Sequence, residues 1–477
     1  MDIRLLVVIG YMIMLLWVGN VSGKKIKGFS DFLVGGRAFG WFPIAMTFAA
    51  AWTGGAACTA MIGTAYTKGL SALWWWWAIV IPYVINGLLL AGPIRRSKAP
   101  TVAALLSARY DHRVSLVAAI TQTIGYVFLN CAQVVAGGLF LQTLLGVPLL
   151  WGTILTAVVV LIYTVLGGLI ACTVSDVLQQ FVSIGAFIGA LVFLGSNSVV
   201  RLSDLPPSML SLSAGFDARQ FITWILSFGA GHFGMQSTFM RVAQARDERQ
   251  AKIGQLMGGF VLFVVSWLVA LVGMWCKLDF GPGLASNQVA TTLVMKLPSL
   301  LGGLYAAGVL SAVMSTTDNN LLASTGMFSR DVYAKYINKN ADDDTVLRLS
   351  RILCVPAIAI AIVGGIYLPD IVGWITKGMA MNGMISVSVL AGLYWKRATS
   401  EGAFASTLGG MITYLIWTFS GNPRGINAVI PGLIVGIVLL IGVSLFTEPK
   451  DEATIDSIWS RSEEHTSELQ SHHDRVC

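Results

Sequence analysis

The stretch from Ala312 to Asn319 carries several oxygen-bearing side chains inside a long apolar run. Ala312, Ser315 and Thr316 are three and four residues apart, so a helix places them on one face. Hydroxyl groups and unwound backbone carbonyls suit a hard cation, because they supply oxygen ligands without a large charge penalty. The alternative is that the hydroxyls only bond the carbonyl of the preceding turn. With Asp318 nearby, we favour a cation site.

Two carboxylates, Asp176 and Asp318, lie within apolar runs. An ionised Asp inside a membrane is costly and usually marks an ion site, a proton relay or a transport pathway. We therefore expect both side chains to have a functional role. For Asp176 the alternative is a helix cap near the cytoplasmic edge of the membrane.

The composition places these residues in a lipid bilayer. Of 477 residues, 55% are hydrophobic and only 12% are charged, against about 25% charged in soluble domains. The net charge of +7 does not indicate a nucleic-acid partner, because the basic residues occupy short loops and form no patch with interleaved aromatics. The cysteines form no CxxC pair, which argues against a zinc site.

Apolar runs predict the helices. A bilayer core about 30 Å thick needs about 20 apolar residues per helix, and runs of that length predict an all-α membrane protein with about thirteen transmembrane helices. The runs lie near residues 4–22, 42–67, 73–93, 114–145, 149–170, 173–196, 220–240, 253–277, 299–328, 352–369, 371–394, 402–420 and 427–447.

The order of these runs predicts a transmembrane domain over residues 1–447. We expect a leader helix, then two five-helix groups that enter the membrane from opposite sides, then two C-terminal helices. Such an inverted repeat binds its solute and ions near the midplane, at helices that are locally broken. The predicted parts are residues 3–22, 42–196, 220–394 and 402–447, followed by a cytoplasmic tail over 448–460.

Two glycine clusters mark the expected breaks. Ala51–Gly55 lies in the first helix of the first group, and Phe228–Gly234 lies in the first helix of the second group. Close helix packing is the alternative, because glycine is common in membrane helices.

Basic residues set the expected orientation. Alternate loops are richer in Lys and Arg, and such loops stay in the cytoplasm. The loop that we assign to Arg241, Arg246, Arg249 and Lys252 is one of these. We predict a multi-pass protein of the plasma (inner) membrane, with its N-terminus outside and its C-terminus in the cytoplasm.

The last residues do not resemble a protein segment. Residues 461–472 read RSEEHTSELQSH, which is similar to a translated sequencing-library adapter. We interpret residues 461–477 as an artefact and expect the natural C-terminus to be missing.

Four motifs, in one order along the chain, resemble the sodium:solute symporter family. They are DFLVGGR at Asp31–Arg37, GGLIACTVSDVLQQ at Gly167–Gln180, AVMSTTDNNLLASTGMFSRDVY at Ala312–Tyr333 and LYWKRATSEGA at Leu393–Ala403. The resemblance implies the leucine-transporter type of inverted-repeat fold and sodium-coupled transport of a small organic solute by alternating access.

The resemblance also implies ion ligands. The main sodium ion is expected between the hydroxyls of Ser315 and Thr316 and the carbonyls of Ala312, Ala50 and Thr53. A second ion is expected at Asp176, Ser315, Asp318 and Asn319. Many members carry small hydroxyl residues at the last two of these positions, which leaves open whether a second sodium ion or a proton binds here.

The solute is less well defined. AAWTGG and AVMSTTD are similar to segments of the choline-transporter branch, and the ring face of Trp52 could attract an ammonium group. That branch, however, has aromatic residues where this chain has Leu129 and Met235. A cationic or zwitterionic solute, either choline-like or amino-acid-like, is our expectation. The candidate lining residues are Trp52, Thr53, Ala57, Tyr126, Gln133, His232, Met235 and Gln236.

Other classes of protein fit less well. An enzyme is not expected, because no Gly-x-Ser-x-Gly elbow, His-Glu-x-x-His motif or phosphate loop occurs. A channel would need a repeated filter or a ring of charges. A proton-coupled or uncoupled transporter and a transporter-like sensor module remain as alternatives.

Overall fold

The protein is helical throughout its described part, which in this computed structural model comprises residues 2–24, 26, 28–53, 55–197, 201–367 and 371–450. Apart from one isolated bridge between Phe39 and Ala245, these residues contain no β-structure. Eight helices among them are long and apolar enough to cross a membrane. The prediction of an all-α membrane protein is confirmed. The expected adapter segment lies outside the described residues, as does most of the predicted tail.

The first part of the chain contains nine helices within the described residues. They are α1 (Ile3–Gly23), α2 (Phe29–Val34), α3 (Trp41–Ala50), α4 (Gly55–Lys68), α5 (Leu73–Leu89), α6 (Ala91–Ser97), α7 (Val102–Arg109), α8 (His112–Leu145) and α9 (Leu149–Asn197).

The second part contains ten more helices within the described ranges, and α14 continues as a π-helix over Phe328–Ile337. They are α10 (Ala218–Gly234), α11 (Gln236–Gln244), α12 (Glu248–Phe280), α13 (Val289–Lys296), α14 (Ser299–Met327), α15 (Asp343–Tyr367), α16 (Ile371–Gly383), α17 (Ser386–Tyr394), α18 (Ser400–Phe419) and α19 (Val429–Phe446).

Helix α9 contains two of the predicted runs, which meet at a kink. Gly168 there has φ 50° and ψ −152°, a conformation that side chains with a Cβ atom rarely adopt. A Cβ atom at this position would also lie 2.5 Å from Cδ2 of Phe32 on α2. The kink therefore depends on glycine, and it changes the direction of the chain without ending the helix.

Helix α14 lies at the centre of the molecule and packs against α1, α8 and α9. Small residues permit this close approach, as expected between helices in a membrane. A Cβ atom on Gly308 would lie 3.2 Å from Cβ of Ala186 and 3.3 Å from Cα of Ser183. Most of the polar residues of α14 are consequently buried among other helices.

Both expected helix breaks are present. Helix α3 ends at Ala50 and α4 begins at Gly55, so the first break coincides with the first glycine cluster. Helix α10 ends at Gly234, and Met235 is extended, with φ −71° and ψ 127°. The second break therefore lies one residue after its glycine cluster, and close packing is not the only role of these glycines.

Candidate ion and solute sites

Side chains from other helices bond the last turn of α3, where the helix ends inside the protein. The carbonyl of Phe48 accepts a hydrogen bond from Tyr83 of α5 at 3.1 Å. The carbonyl of Thr47 accepts one from Nε of Arg241, on α11, at 3.1 Å. Buried carbonyls at a helix end need such partners. The break is thus stabilised by α5 and α11 together.

The hydroxyls of Ser315 and Thr316 contact the same break from α14. Oγ of Ser315 lies 3.2 Å from the carbonyl oxygens of both Ala50 and Ala312. Oγ1 of Thr316 lies 3.1 Å from the carbonyl oxygen of Ala51 and 3.2 Å from that of Ala312. Two hydroxyl and three carbonyl oxygens therefore converge here, which is a suitable ligand set for a hard monovalent cation.

The two intramembrane carboxylates share one buried cluster with Asn319. Its Nδ2 lies 3.3 Å from Oδ2 of Asp176, 2.9 Å from Oδ1 of Asp318 and 2.8 Å from the carbonyl oxygen of Ser315. Tyr163 donates its hydroxyl to Oδ2 of Asp318 at 2.8 Å. Oδ1 of Asp176 and Oδ1 of Asn319 are buried and have no partner among the described residues. The cluster therefore has unused acceptors and a concentration of negative charge, both of which favour a cation or a proton.

Arg241 connects this cluster to the break in α3. It is 2% exposed, and its Nε lies 3.4 Å from Oγ1 of Thr47. The same Thr47 hydroxyl donates a hydrogen bond to Asp176. A cation and a carboxylate are therefore linked through one hydroxyl group.

A small cavity of about 30 Å³ lies between the two breaks and reaches α8, α14 and α16. Its position between the broken helices makes it the candidate solute site. Its lining residues are Ala51, Trp52, Leu129, Gln133, Met235, Ser237, Thr238, Arg241, Thr316, Asn320 and Ile375.

A comparison with known families identifies this arrangement. The profile of the sodium:solute symporter family matches residues 32–410, which is most of the chain. The chain belongs to this family. Sodium is accordingly the coupling ion, the function is symport of a small solute, and the protein is a transporter and not an enzyme.

The symporter is similar to bacterial transporters along nearly its whole length. It is 26% identical over 480 residues to the osmoregulated proline transporter OpuE of Bacillus subtilis, which covers 95% of this chain and 97% of that protein. It is also 26% identical over 457 residues to the sodium/pantothenate symporter of Haemophilus influenzae, with 90% and 93% covered.

Two solved structures share the symporter's fold. A Na+-coupled sialic acid symporter in a substrate-bound outward-open state superimposes with a TM-score of 0.80 at 15% identity, covering 94% of this chain and 99% of that one. MHP1, a nucleobase-cation-symport-1 family transporter, gives 0.61 at 13% identity, with 90% and 98% covered. The fold is therefore of the leucine-transporter type.

Four of the five residues expected at the main sodium site converge in the symporter. The fifth, Thr53, has its hydroxyl bonded to the Ala49 carbonyl at 2.8 Å, and its own carbonyl accepts a hydrogen bond from the Cys58 thiol at 3.3 Å. The carbonyl of Ala51, which was not predicted, instead contacts Thr316. All four residues expected at the second site lie in the carboxylate cluster.

The helix-cap alternative for Asp176 is wrong. Asp176 is fully buried and lies well inside α9, which begins at Leu149.

The assignment of Arg241 to a cytoplasmic loop is also wrong, because this residue lies within α11 and is buried. Counting charges between apolar runs could not separate it from the loop cations that follow. Its flanking apolar residues, Phe239, Met240, Val242 and Ala243, were the available signal.

Three of the eight expected solute-binding residues, Trp52, Gln133 and Met235, line the cavity. The ring of Trp52 packs against those of Phe228 and His232, with centroid distances of 5.9 and 4.9 Å. His232 is buried behind it and its Nδ1 contacts the Phe228 carbonyl. The side chain of Ala57 lies outside the described residues.

Tyr126 and Gln236 stabilise the second break and do not line the cavity. The hydroxyl of Tyr126 accepts a hydrogen bond from the backbone N–H of Ser237 at 2.7 Å. Gln122, one turn earlier on α8, bonds both the carbonyl of Gly234 and the N–H of Gln236. The side chain of Gln236 bonds the N–H of Val102 on α7 at 2.7 Å. These polar side chains of α8 thus supply partners for the unwound backbone.

Proposed function

We propose that this symporter couples the inward movement of sodium to the uptake of a small organic solute, with Ser315 and Thr316 as sodium ligands. The observation that carries this proposal is the convergence of both hydroxyls on the carbonyls of Ala50, Ala51 and Ala312. An ion at this point would hold α14 against the broken α3–α4 helix. Release of the ion would allow these elements to separate, which is the basis of alternating access.

The carboxylate cluster of Asp176, Asp318 and Asn319 is proposed as the site of a second cation, either sodium or a proton. Its unpartnered acceptors and its burial support this role, because two buried carboxylates are costly without a counter-charge. Ser315 contributes to both sites, since its carbonyl accepts a hydrogen bond from Asn319 while its hydroxyl faces α3. Occupation of one site is therefore expected to affect the other.

The solute is proposed to be amino-acid-like, and a choline-like solute is less favoured. A quaternary ammonium is usually surrounded by several aromatic rings. Among the described residues that line the cavity, Trp52 is the aromatic one, and Leu129 and Met235 occupy the walls beside it. Two relatives are described as a proline transporter and a pantothenate symporter, which also supports this choice.

The organisation of the chain is also part of the proposal. The two helix breaks open the two proposed five-helix repeats, over residues 42–196 and 220–394. Residues 3–22 precede them and residues 402–447 follow, which gives about thirteen spans. The proposed location is the plasma membrane, with the N-terminus outside.

Uptake measurements with the reconstituted symporter test the proposed function directly. In proteoliposomes, an inward sodium gradient should drive accumulation of one member of a panel of labelled proline, pantothenate, monocarboxylates and choline. The control replaces sodium by N-methyl-D-glucamine at the same pH. Equal uptake in both conditions would contradict sodium coupling. Uptake driven by a pH gradient in the absence of sodium would indicate the proton-coupled alternative.

A further inference from the structure

Arg241 is a buried cation at the wall of the solute cavity. It is 2% exposed and lines the same cavity as Trp52. Its Nε and Nη1 donate hydrogen bonds to the carbonyls of Thr47 and Ser237, at 3.1 and 3.2 Å. Its Nη2 donates none to the described residues, and no carboxylate oxygen among them lies within 4.0 Å of the guanidinium. A donor group of the guanidinium is therefore unused at the cavity.

A guanidinium stays protonated, so its burial in a membrane protein is costly unless acceptors surround it. Arg109, which is equally buried at the end of α7, shows how carbonyls surround a buried guanidinium, although its Nη1 has no partner among the described residues. It donates to the carbonyls of four residues, Gly392, Trp395, Lys396 and Ala398. Arg241 has acceptors from only two described residues, Thr47 and Ser237. Arg241 also lines the cavity, which Arg109 does not, so a further acceptor can reach its free donor there during the transport cycle.

We propose that Arg241 binds the carboxylate group of the transported solute. This inference rests on the proposed function, in which the cavity between the breaks holds the solute. A carboxylate is the anion that matches the planar donor edge of a guanidinium, and such pairs form strong, oriented hydrogen bonds. The substrate class is thus a small organic acid, including zwitterions.

Two more unused polar atoms define what else the solute carries. Nδ2 of Asn320 is a buried donor without a partner among the described residues, and Asn320 lines the same cavity as Arg241. It is available as a second donor to the carboxylate. Oε1 of Gln133 is a buried acceptor without a partner in that part of the chain. It requires a donor, so the solute should carry an amino, amide or hydroxyl group near its carboxylate.

The carboxylate cluster does not supply the missing acceptor. Asp176 is linked to Arg241 through the hydroxyl of Thr47, on the side of Nε. Asp318 is bonded to Tyr163 and Asn319 and does not line the cavity. The solute carboxylate would therefore bind at Nη2, which has no acceptor among the described residues. A substitution of Arg241 should accordingly affect solute binding more than sodium binding.

The test measures solute and sodium binding separately. Purified wild type, Arg241→Lys and Arg241→Gln are compared by thermal shift, first with sodium alone and then with sodium plus one probe. The probes are proline, prolinamide, pantothenate, lactate, betaine and choline. Arg109→Lys is the matched control, because it alters an equally buried guanidinium away from the cavity.

A carboxylate probe should stabilise the wild type, and its amide should not. Arg241→Lys should weaken carboxylate binding about tenfold and Arg241→Gln about a hundredfold, as expected when one partner of a buried ion pair is removed. Sodium alone should still stabilise both variants. Arg109→Lys should lower the Tm without changing the order of the probes.

Unchanged carboxylate affinity in Arg241→Gln would overturn the proposal, and so would a wild type stabilised by choline or prolinamide but by no carboxylate. If Arg241→Gln does not fold, the proposal is tested by the carboxylate affinity of Arg241→Lys and by the comparison of proline with prolinamide on the wild type. Failure of sodium to stabilise the wild type would instead contradict the proposed sodium coupling. The two failures are thus distinguishable.

Discussion

At the scale of single residues, neighbouring hydroxyls of α14 differ in what they contact. Ser315 and Thr316 reach across to carbonyls at the end of α3, whereas the hydroxyl of Thr317 bonds the Val313 carbonyl of its own helix, at 2.7 Å, and no other described residue. An ion can take the place of a hydrogen bond between two elements by binding the hydroxyl and the carbonyl together, but a hydroxyl that bonds within its own helix offers no such site. This difference separates a candidate ligand from an ordinary buried threonine.

Removing either candidate ligand should weaken sodium binding. We expect Ser315→Ala and Thr316→Val each to raise the sodium concentration for half-maximal uptake about tenfold, because one oxygen ligand is lost from a small set. Sodium titration of solute uptake in proteoliposomes measures this. Thr317→Val is the matched control and should leave the sodium dependence unchanged. An equal effect in all three variants would indicate loss of stability and not loss of a ligand.

The buried carboxylate Asp176 should control the number of coupled ions. Asp176→Asn keeps the shape of the side chain but removes its charge, so we expect the ratio of ions to solute to fall by one. The ratio is obtained from charge movement and solute flux measured on the same proteoliposomes. Asp331→Asn is the control, because Asp331 is equally buried but is paired with Lys335. An unchanged ratio in Asp176→Asn would exclude the second cation from this site.

At the scale of elements, α9 and the broken helices show how local backbone conformation is stabilised by neighbours. The kink at Gly168 lies against Phe32 of α2. It turns α9 between the segment that carries Tyr163 and the segment that carries Asp176. Both side chains then reach the same cluster as Asn319, although they are on different segments of one helix.

The kink should therefore be sensitive to substitution. Gly168→Ala should lower the free energy of unfolding by about 1–3 kcal/mol, because alanine is strained at this backbone conformation and its Cβ atom meets Phe32. Gly185→Ala, in the same helix, is the control. No atom lies within 4 Å of a Cβ built there, so this change should be neutral or slightly stabilising. Thermal unfolding in detergent compares the two, and equal losses would contradict this role of Gly168.

At the scale of the whole molecule, the charge asymmetry of the loops predicts orientation. The proposed topology places the α18–α19 loop outside and the α14–α15 loop in the cytoplasm. Ser420 and Asn340 are exposed residues in these loops. Single cysteines at these positions, in a chain without its natural cysteines, should react with a membrane-impermeant maleimide from opposite sides. If Asn340→Cys were labelled in intact cells and Ser420→Cys were protected, the orientation would be the opposite of the proposed one.

Sequence alone was sufficient for features that depend on local physical rules. The apolar runs predicted helices because a bilayer leaves the backbone no other way to satisfy its polar groups. Helical spacing put Ser315 and Thr316 on one face with Ala312, and the intramembrane position of Asp176 and Asp318 predicted a functional role for both, which stays a prediction. The glycine clusters located the breaks to within about a residue. The four motifs identified the family.

Only the tertiary structure decided which polar groups meet. The break after Gly234 forms where Gln122 and Tyr126 of α8 supply hydrogen bonds to the freed backbone, and these partners are distant in sequence. In the sequence Arg241 is indistinguishable from the loop cations that follow it. In the structure it lies on α11, bonded to Thr47 and lining the cavity. Whether a charge faces water, a carboxylate or a solute depends on the packing of several helices. Counting Lys and Arg residues between apolar runs contains no information about that packing. For this reason helical spacing was enough to propose Ser315 and Thr316 as ion ligands, while Arg241, which is proposed to bind the solute, could not be recognised from the sequence.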